Sequence, residues 1–474
     1  MYLPGILCFL LLVSGIFLFS FAQHYFLFYS LFGVVVFFYL GISYFVGILG
    51  KDFSFSLHQS LVRSWKNEFP SVDVYYPVCG EDVSIIRNAL NHIVRLDWPG
   101  KLQIYVLDDG FSSEVKQMAH DLGVHYVVRP DRPHLKKAGN LRNAFKQTSG
   151  DFILILDADF CPRPDMLREM MPYMLEYKDV AIVQSPQYFE IKKDQSWVEK
   201  GAGYVQELFY RMIQVSRDSF DAAICVGTCA LYRRSALEPF GGTAAIGYSE
   251  DVHTGFQVMQ NGWRVRYIPI ILAKGVCPSR LDAFFLQQYR WAMGSITLCF
   301  NKEFWKTDLT FMQRVCYLTG MSYYIVTGIS LFLTPIPAML LVWLHPEMIF
   351  WYNYIFSVPS FIFGIFGLAM WCKAPFGWYG VMARQASFYA HLFALKDKLM
   401  GTLVPWQSTG AVRGGGRFLQ FKNLFFFWTI FQFVWIFGFV IHNLHDYHFY
   451  HFIPVLFFTS FNFLISMLII KDQE

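Results

Sequence analysis

Charge is scarce in this sequence: charged residues make up 16% of 474 residues, against 55% hydrophobic. A soluble chain of that size needs more polar cover, so contact with lipid is expected. The net charge is only +4 and no basic tract stands out, which argues against nucleic acid as a partner. A disulfide framework is missing too. The nine cysteines are odd in number and scattered, and only Cys225 and Cys229 come close together, with no second pair at zinc-site spacing. Reduced thiols are expected. The first apolar run has no basic start and no small-residue cleavage site, so it does not read as a removable signal peptide. Internal repeats and low-complexity tracts are absent as well.

What the sequence does have is long apolar runs. They extend over Tyr2–Ala22 and Tyr25–Gly50, between Arg314 and His345, between Glu347 and Lys373, and over Asn423–Ile441 and Phe452–Ile470. Each is long enough to cross a bilayer as a helix, which takes about 20 residues. None carries an ionisable residue, which disfavours an ion or proton path. The connections around Gln23–His24, His345–Glu347 and His442–His451 contain no Lys or Arg, whereas the opposite side carries many. The positive-inside rule therefore puts both termini and the large polar region in the cytosol. The expected plan is two membrane helices in 1–50, a cytosolic domain in 51–311, and four membrane helices in 312–474. An interfacial segment around 374–421 includes the Gly-rich stretch Gly410–Arg417.

The polar region alternates strand-like and helix-like patterns. Val72–Tyr76, Leu102–Leu107, Val124–Val128 and Phe152–Leu156 read as buried strands, and Asp82–Val94, Ser113–Leu122 and Gly139–Gln147 as helices. That alternation predicts an α/β domain with a mostly parallel sheet, whose ligand lies at the carboxyl ends of the strands. The polar motifs fall at those ends. Pro77–Val78–Cys79–Gly80–Glu81 follows the first strand, Asp108–Asp109–Gly110 the second, and Asp157–Ala158–Asp159 the fourth. Asp157 and Asp159, two apart, project to one side and suit a hard divalent cation bridging to a diphosphate. A solvated turn would explain Asp-x-Asp alone. Asp108 and Asp109 suit a base or ribose, or a simple turn with a helix cap. Lys137 stands where a helix opens, a place that favours anions. Ser249–Glu250–Asp251 precedes a helical run and reads as a helix cap or as a general base for a hydroxyl. Gln287, Arg290 and Trp291 share one helix face, able to clamp a phosphate and stack on a sugar, or to rest on a membrane surface.

Taken together, Asp108–Asp109–Gly110, Asp157–Ala158–Asp159, Glu250–Asp251 and Gln287–Gln288–Tyr289–Arg290–Trp291 resemble the ordered D, DxD, (T)ED, QxxRW signature of processive family 2 glycosyltransferases. That group includes the cellulose, chitin and hyaluronan synthases, and the likeness is greatest to the bacterial cellulose synthase catalytic subunit. The resemblance implies a Rossmann-like GT-A fold, inverting transfer from a UDP-sugar, Mg2+ or Mn2+ as cofactor, and a channel for the product. By motif, it places Asp108 and Asp109 on uridine, Lys137 on the diphosphate, and Glu81 and Asp157 in the nucleotide-sugar site. Asp157 and Asp159 would hold the metal, Glu250 and Asp251 would be catalytic with Asp251 as base, and Gln287, Arg290 and Trp291 would bind the acceptor end of a growing polysaccharide. Val183–Gln184–Ser185–Pro186 matches the family's VQTP-type segment near the donor, and Trp406–Gly410 corresponds to an interfacial gating loop.

The sequence departs from the pattern in places. Pro-Val-Cys-Gly-Glu stands where the cellulose enzyme has a Pro-Thr-Tyr-Asn-Glu type segment, Ser249 replaces the usual Thr, and no FxVTxK-type motif is evident. With the sequence read to Glu474, no C-terminal cyclic-di-GMP-binding domain is expected. UDP-glucose is the favoured donor and UDP-N-acetylglucosamine the next, with the export partner left open. The rivals are a non-processive transferase acting on a lipid carrier and a nucleotide-sensing transporter or scaffold. A polysaccharide channel would be lined by residues such as Trp428, Gln432 and Trp435, which plain helix packing also explains.

Overall fold

The computed structural model describes residues 2–65, 68–373, 377–402 and 416–471. Its centre is a seven-stranded sheet in the order β3-β2-β1-β4-β8-β6-β9. The strands are β1 (Val72–Val78), β2 (Leu102–Asp108), β3 (His125–Val127), β4 (Phe152–Ile155), β6 (Val180–Gln184), β8 (Ala230–Arg233) and β9 (Arg264–Tyr267). Short strands β5 (Cys161–Pro162), β7 (Tyr188–Phe189) and β10 (Ala273–Gly275) form a second sheet. β1 is buried along its whole length, and so are β4 and β6. This explains their near-continuous apolar runs, since a parallel strand covered by helices on both faces has no solvent side. The helices over Val83–Ile93, Ser113–Asp121 and Lys136–Gln147 begin within three residues of the sequence expectation. Asp82 and Ser112 cap the first two, each accepting a hydrogen bond from a backbone N–H in the first turn.

One strand reverses direction. β8 is antiparallel to both β4 and β6, while β1 pairs parallel with β2 and β4. The loop that precedes β8 consequently arrives at the edge where β1, β2 and β4 end.

Among the described residues, six helices are long and apolar enough to cross a membrane: Leu3–Ala22, Tyr29–Leu49, Phe311–Leu344, Tyr352–Trp371, Gly416–Asn443 and Phe449–Lys471. They match the six expected runs. The third is broken between Leu333 and Ile336. Pro335 has no N–H, so the carbonyl of Leu331 loses its partner one turn on. The indole N–H of Trp428 donates to that carbonyl at 3.2 Å. Trp435 likewise donates to Met339 O, and the Gln432 amide to Trp428 O. The three residues offered above as channel lining thus form hydrogen bonds within the helix bundle.

A 24-residue helix, Gly377–Met400, was not anticipated as such. Arg384, Lys396, Asp397 and Lys398 interrupt its apolar content, yet it packs against the helices Leu281–Cys299, Phe311–Leu333 and Trp197–Leu208. Ala383, Ala386, Ala390 and Ala394 form a buried small-residue stripe that lets neighbouring backbones approach. The stripe recurs every three or four residues and is the signal that would have revealed this helix. The Trp406–Gly410 run, assigned above to a gating loop, lies outside the described residues.

Candidate active site

The loop after β2 is built around Asp108. Its carboxylate accepts from the backbone N–H of Gly110 (2.7 Å), Phe111 (3.0 Å) and Ser112 (2.8 Å), and from the Tyr126 hydroxyl (2.8 Å). Four donors match the acceptor sites of a carboxylate. Contact between Asp108 and a uridine would require one of these bonds to break, so its part in this structure is to shape the loop. Asp109 forms a two-pronged pair with Arg129, at 2.8 Å from Nε and 2.6 Å from Nη2. The Arg129 side chain is wholly buried and also donates to the carbonyls of His134 and Lys136. Arg129 therefore ties the β2 loop to the start of the Lys136–Gln147 helix. Sequence reasoning missed it, because a lone arginine after a strand carries no local signature. In the neighbouring loop after β1, Glu81 accepts from the Cys79 N–H at 2.6 Å, and burial raises its pKa.

Lys137 stands in the first turn of its helix and reaches the centre of the site. Its Nζ donates to Asp157 Oδ1 (2.5 Å) and Gly227 O (3.0 Å) and lies 3.6 Å from Glu250 Oε1. Burial disfavours its positive charge, but Asp157 and Glu250 outweigh that and hold its pKa above the ordinary lysine range. Asp157 is fixed from the other side by its own N–H donating to Thr228 Oγ1 at 2.8 Å.

Gly227 and Thr228 belong to the loop that enters β8. Gln184 accepts from Val226 N (3.0 Å) and Gln187 donates to Val226 O (2.9 Å), while Ser185 N donates to Cys229 O. The Val183–Pro186 segment therefore holds this loop against the strand ends. Gly227 has φ +75°, and a Cβ on it would stand 2.7 Å from the Cβ of Asp251. Only glycine lets Asp251 approach so closely.

Asp251 and Asp159 are both pushed up to about 7. For Asp251 the causes are burial and then Glu250, partly offset by Lys137. For Asp159 they are burial and then Asp157, with Glu81 adding to it. Carboxylates crowded beyond what Lys137 neutralises leave the site short of positive charge. Among the described residues no three His, Cys, Asp or Glu side chains converge as a metal cage. Asp157 and Asp159 are the hard oxygen donors at the strand end. A cation that takes one or two carboxylates and completes its shell with phosphate and water fits this donor set.

The helix Leu281–Cys299 covers one side of the site. Ser249, in the left-handed region at φ +46°, donates through Oγ to Arg290 O at 3.0 Å and lies against Gly294. The residue before Glu250–Asp251 is thereby docked onto the helix that carries Gln287, Arg290 and Trp291, all three half-buried. Burial brings Arg290 down to about 10, opposed by Asp157 and Glu250. The fold thus assembles Lys137, Asp157, Glu250, Asp251 and Arg290 into one electrostatic cluster, with Asp159 and Glu81 beside Asp157. Asp108 and Asp109 stand behind it in loop-shaping contacts.

Residues 73–241 match the family model described as Glycosyl transferase family 2, and residues 244–370 the one described as Cellulose synthase. The chain is 37% identical over 262 residues to the cellulose synthase 1 catalytic subunit [UDP-forming] of Komagataeibacter xylinus, covering 54% of this chain and 35% of that one. It is 34% identical over 264 residues to the cellulose synthase catalytic subunit [UDP-forming] of Xanthomonas axonopodis pv. citri, covering 54% and 36%. The chain therefore spans about a third of the length of these relatives. Among solved structures, a mannosyltransferase from Pyrobaculum calidifontis in complex with GDP-Man and Mn2+ superimposes with a TM-score of 0.56 at 16% identity, covering 78% of this chain and 98% of that one. Residues 73–241 are thus similar to family 2 glycosyltransferases and residues 244–370 to cellulose synthases, on a GT-A fold.

Proposed function

We propose that this chain is a membrane-embedded, processive, inverting glycosyltransferase that polymerises the sugar of a UDP-sugar into a β-linked polysaccharide, with UDP-glucose as the first choice of donor. The observation that carries this reading is the placement of Asp251. Its carboxyl is raised to about 7, it abuts the Gly227 loop that also binds Lys137, and Ser249 docks it onto the Arg290–Trp291 helix. A base that titrates near neutrality is suited to take a proton from a sugar hydroxyl.

In this reading the acceptor hydroxyl attacks the donor's anomeric carbon as Asp251 takes its proton. The bond from that carbon to the diphosphate oxygen breaks, and the electron pair leaves with the nucleoside diphosphate. A single displacement inverts the configuration and needs no enzyme nucleophile. Lys137 supplies fixed positive charge toward the diphosphate as its negative charge grows, while Arg290 joins Gln287 and Trp291 at the acceptor. Asp157 and Asp159 would hold Mg2+ or Mn2+, which supplies further neutralising charge to the diphosphate. Trp291 and Gln287 would receive the terminal acceptor sugar. The six apolar helices support a bilayer location, with the catalytic domain and both termini on the cytosolic face, where nucleotide-sugars are made.

The second reading is a non-processive transferase acting on a lipid carrier, which would use the same base and metal ligands. The experiment that separates them supplies radiolabelled UDP-sugars and Mg2+ or Mn2+ to the purified full chain in lipid. A high-molecular-weight product digested by one specific glycanase is expected. A single small lipid-soluble product would overturn processive synthesis. Asp251→Asn is expected to lower incorporation by about 10²–10⁴-fold, and near-normal turnover in that variant would overturn the base assignment.

A further inference from the structure

The carboxylate of Asp397 lies outside the cluster described above. It sits in the last turn of the Gly377–Met400 helix and is only 1% exposed. A buried negative charge at a helix C-terminus is opposed both by desolvation and by the helix dipole. Stability alone would favour an apolar residue there. Instead, three donors from three parts of the chain converge on it. The Tyr289 hydroxyl donates at 2.7 Å, the Thr402 hydroxyl at 3.2 Å, and Arg417 pairs with it at 2.9 Å.

Tyr289 is the middle residue of Gln287–Gln288–Tyr289–Arg290–Trp291 and is itself buried. The next residue, Arg290, is held through its carbonyl by Ser249, which adjoins the base. The helix that presents Arg290 and Trp291 is thus fastened at two successive residues: to the catalytic loop through Ser249, and to the membrane-side helices through Asp397. Apolar packing holds the helix in place, and the two polar contacts add directional anchors at adjacent residues. We propose that Asp397 is a positioning residue for the acceptor end. It fixes Tyr289, and through it the aim of Arg290 and Trp291 relative to Asp251. The inference rests on the glycosyltransferase reading above.

The test compares unmodified chain with Tyr289→Phe, Asp397→Asn and the double variant, each as the full chain in lipid. The donor is labelled UDP-glucose, or whichever labelled UDP-sugar the unmodified chain turns over. Two quantities are read: the donor KM, and the ratio of sugar released to water to sugar transferred to acceptor. A misaimed acceptor end leaves donor binding intact and lets water compete. The water-to-acceptor ratio is expected to rise about tenfold in either single variant, the effect of losing one hydrogen bond to a charged group. The double variant is expected to be no worse than the worse single, because both act on the shared Tyr289–Asp397 contact. Tyr289→Phe removes only a hydroxyl and keeps the test valid should Asp397→Asn fail to fold. An unchanged ratio, a donor KM that rises in parallel, or additive effects would overturn the inference. A wild type that makes only a single small product would defeat processive synthesis instead, and the ratio would still decide the role of Asp397.

Discussion

At the end proposed for the donor, Asp108, Asp109 and Asp157 take partners from the adjoining strand, the next loop and the preceding helix: Tyr126, Arg129 and Lys137. At the end proposed for the acceptor, the contacts that pin the covering helix join distant parts of the chain, Ser249 to Arg290 and Tyr289 to Asp397, as Trp428 to Leu331 does in the membrane half. The first region holds its shape by many mutually dependent charges, the second by apolar packing with single polar pins. Damage should therefore spread differently. Losing one charge at the donor end strands another in a dry place, whereas losing one pin leaves the helices packed but less exactly aimed.

Arg129→Met tests the first half of that contrast most severely. It leaves Asp109 buried without its cation, and breaking a buried pair costs about 3–5 kcal/mol. A lowered unfolding temperature is expected, and an unchanged one would show that the donor end tolerates isolated charge. Gly227→Ala comes next. The new Cβ would press on Asp251 and require a left-handed alanine, so turnover should fall about 100-fold while the fold survives.

Acidity probes the same crowding more gently. In the proposed mechanism Asp251 acts as a base only when ionised, and burial together with Glu250 raises its pKa to about 7. Activity should fall as pH drops below that value, about tenfold per unit. Glu250→Gln removes the repulsion and should move this limb to lower pH, and a limb that stays put would mean burial alone sets it. The smallest effect belongs to the membrane half. Trp428→Phe leaves the Leu331 carbonyl without a donor and should cost about 1 kcal/mol of stability. In a Pro335→Ala background, where the backbone regains its N–H, that cost should shrink. An equal cost in both backgrounds would mean that the indole contributes by packing and not by its hydrogen bond.

The same contrast governs what the sequence disclosed. β1, β2 and β4 and the helices between them were legible because their periodicity and caps lie within a few consecutive residues. Asp108 and Asp157 were placed at strand ends, and Lys137 at a helix start, for the same reason. The deeper roles were not legible. Nothing local shows that Asp108 faces its own loop, since that depends on Tyr126 folding back from β3. Arg129 gains meaning only once β2 and β3 are adjacent. The Gly377–Met400 helix was obscured by four charged residues that make it too polar for a membrane span. Its alanine stripe has a purpose only in the presence of the helices that it admits.

The reversal of β8 has a consequence in time. β1 to β4, and with them Asp108, Lys137 and Asp157, are synthesised as one continuous stretch and can pair as they emerge. Gly227 and Thr228, which brace Lys137 and Asp157, lie some way further along the chain, and Asp251, Arg290 and Asp397 follow in that order. A nascent chain would hold a place for the donor well before it holds a base or an aimed acceptor helix. On the proposed function, competence to transfer sugar would follow the donor site and arrive only after four of the six apolar helices are made.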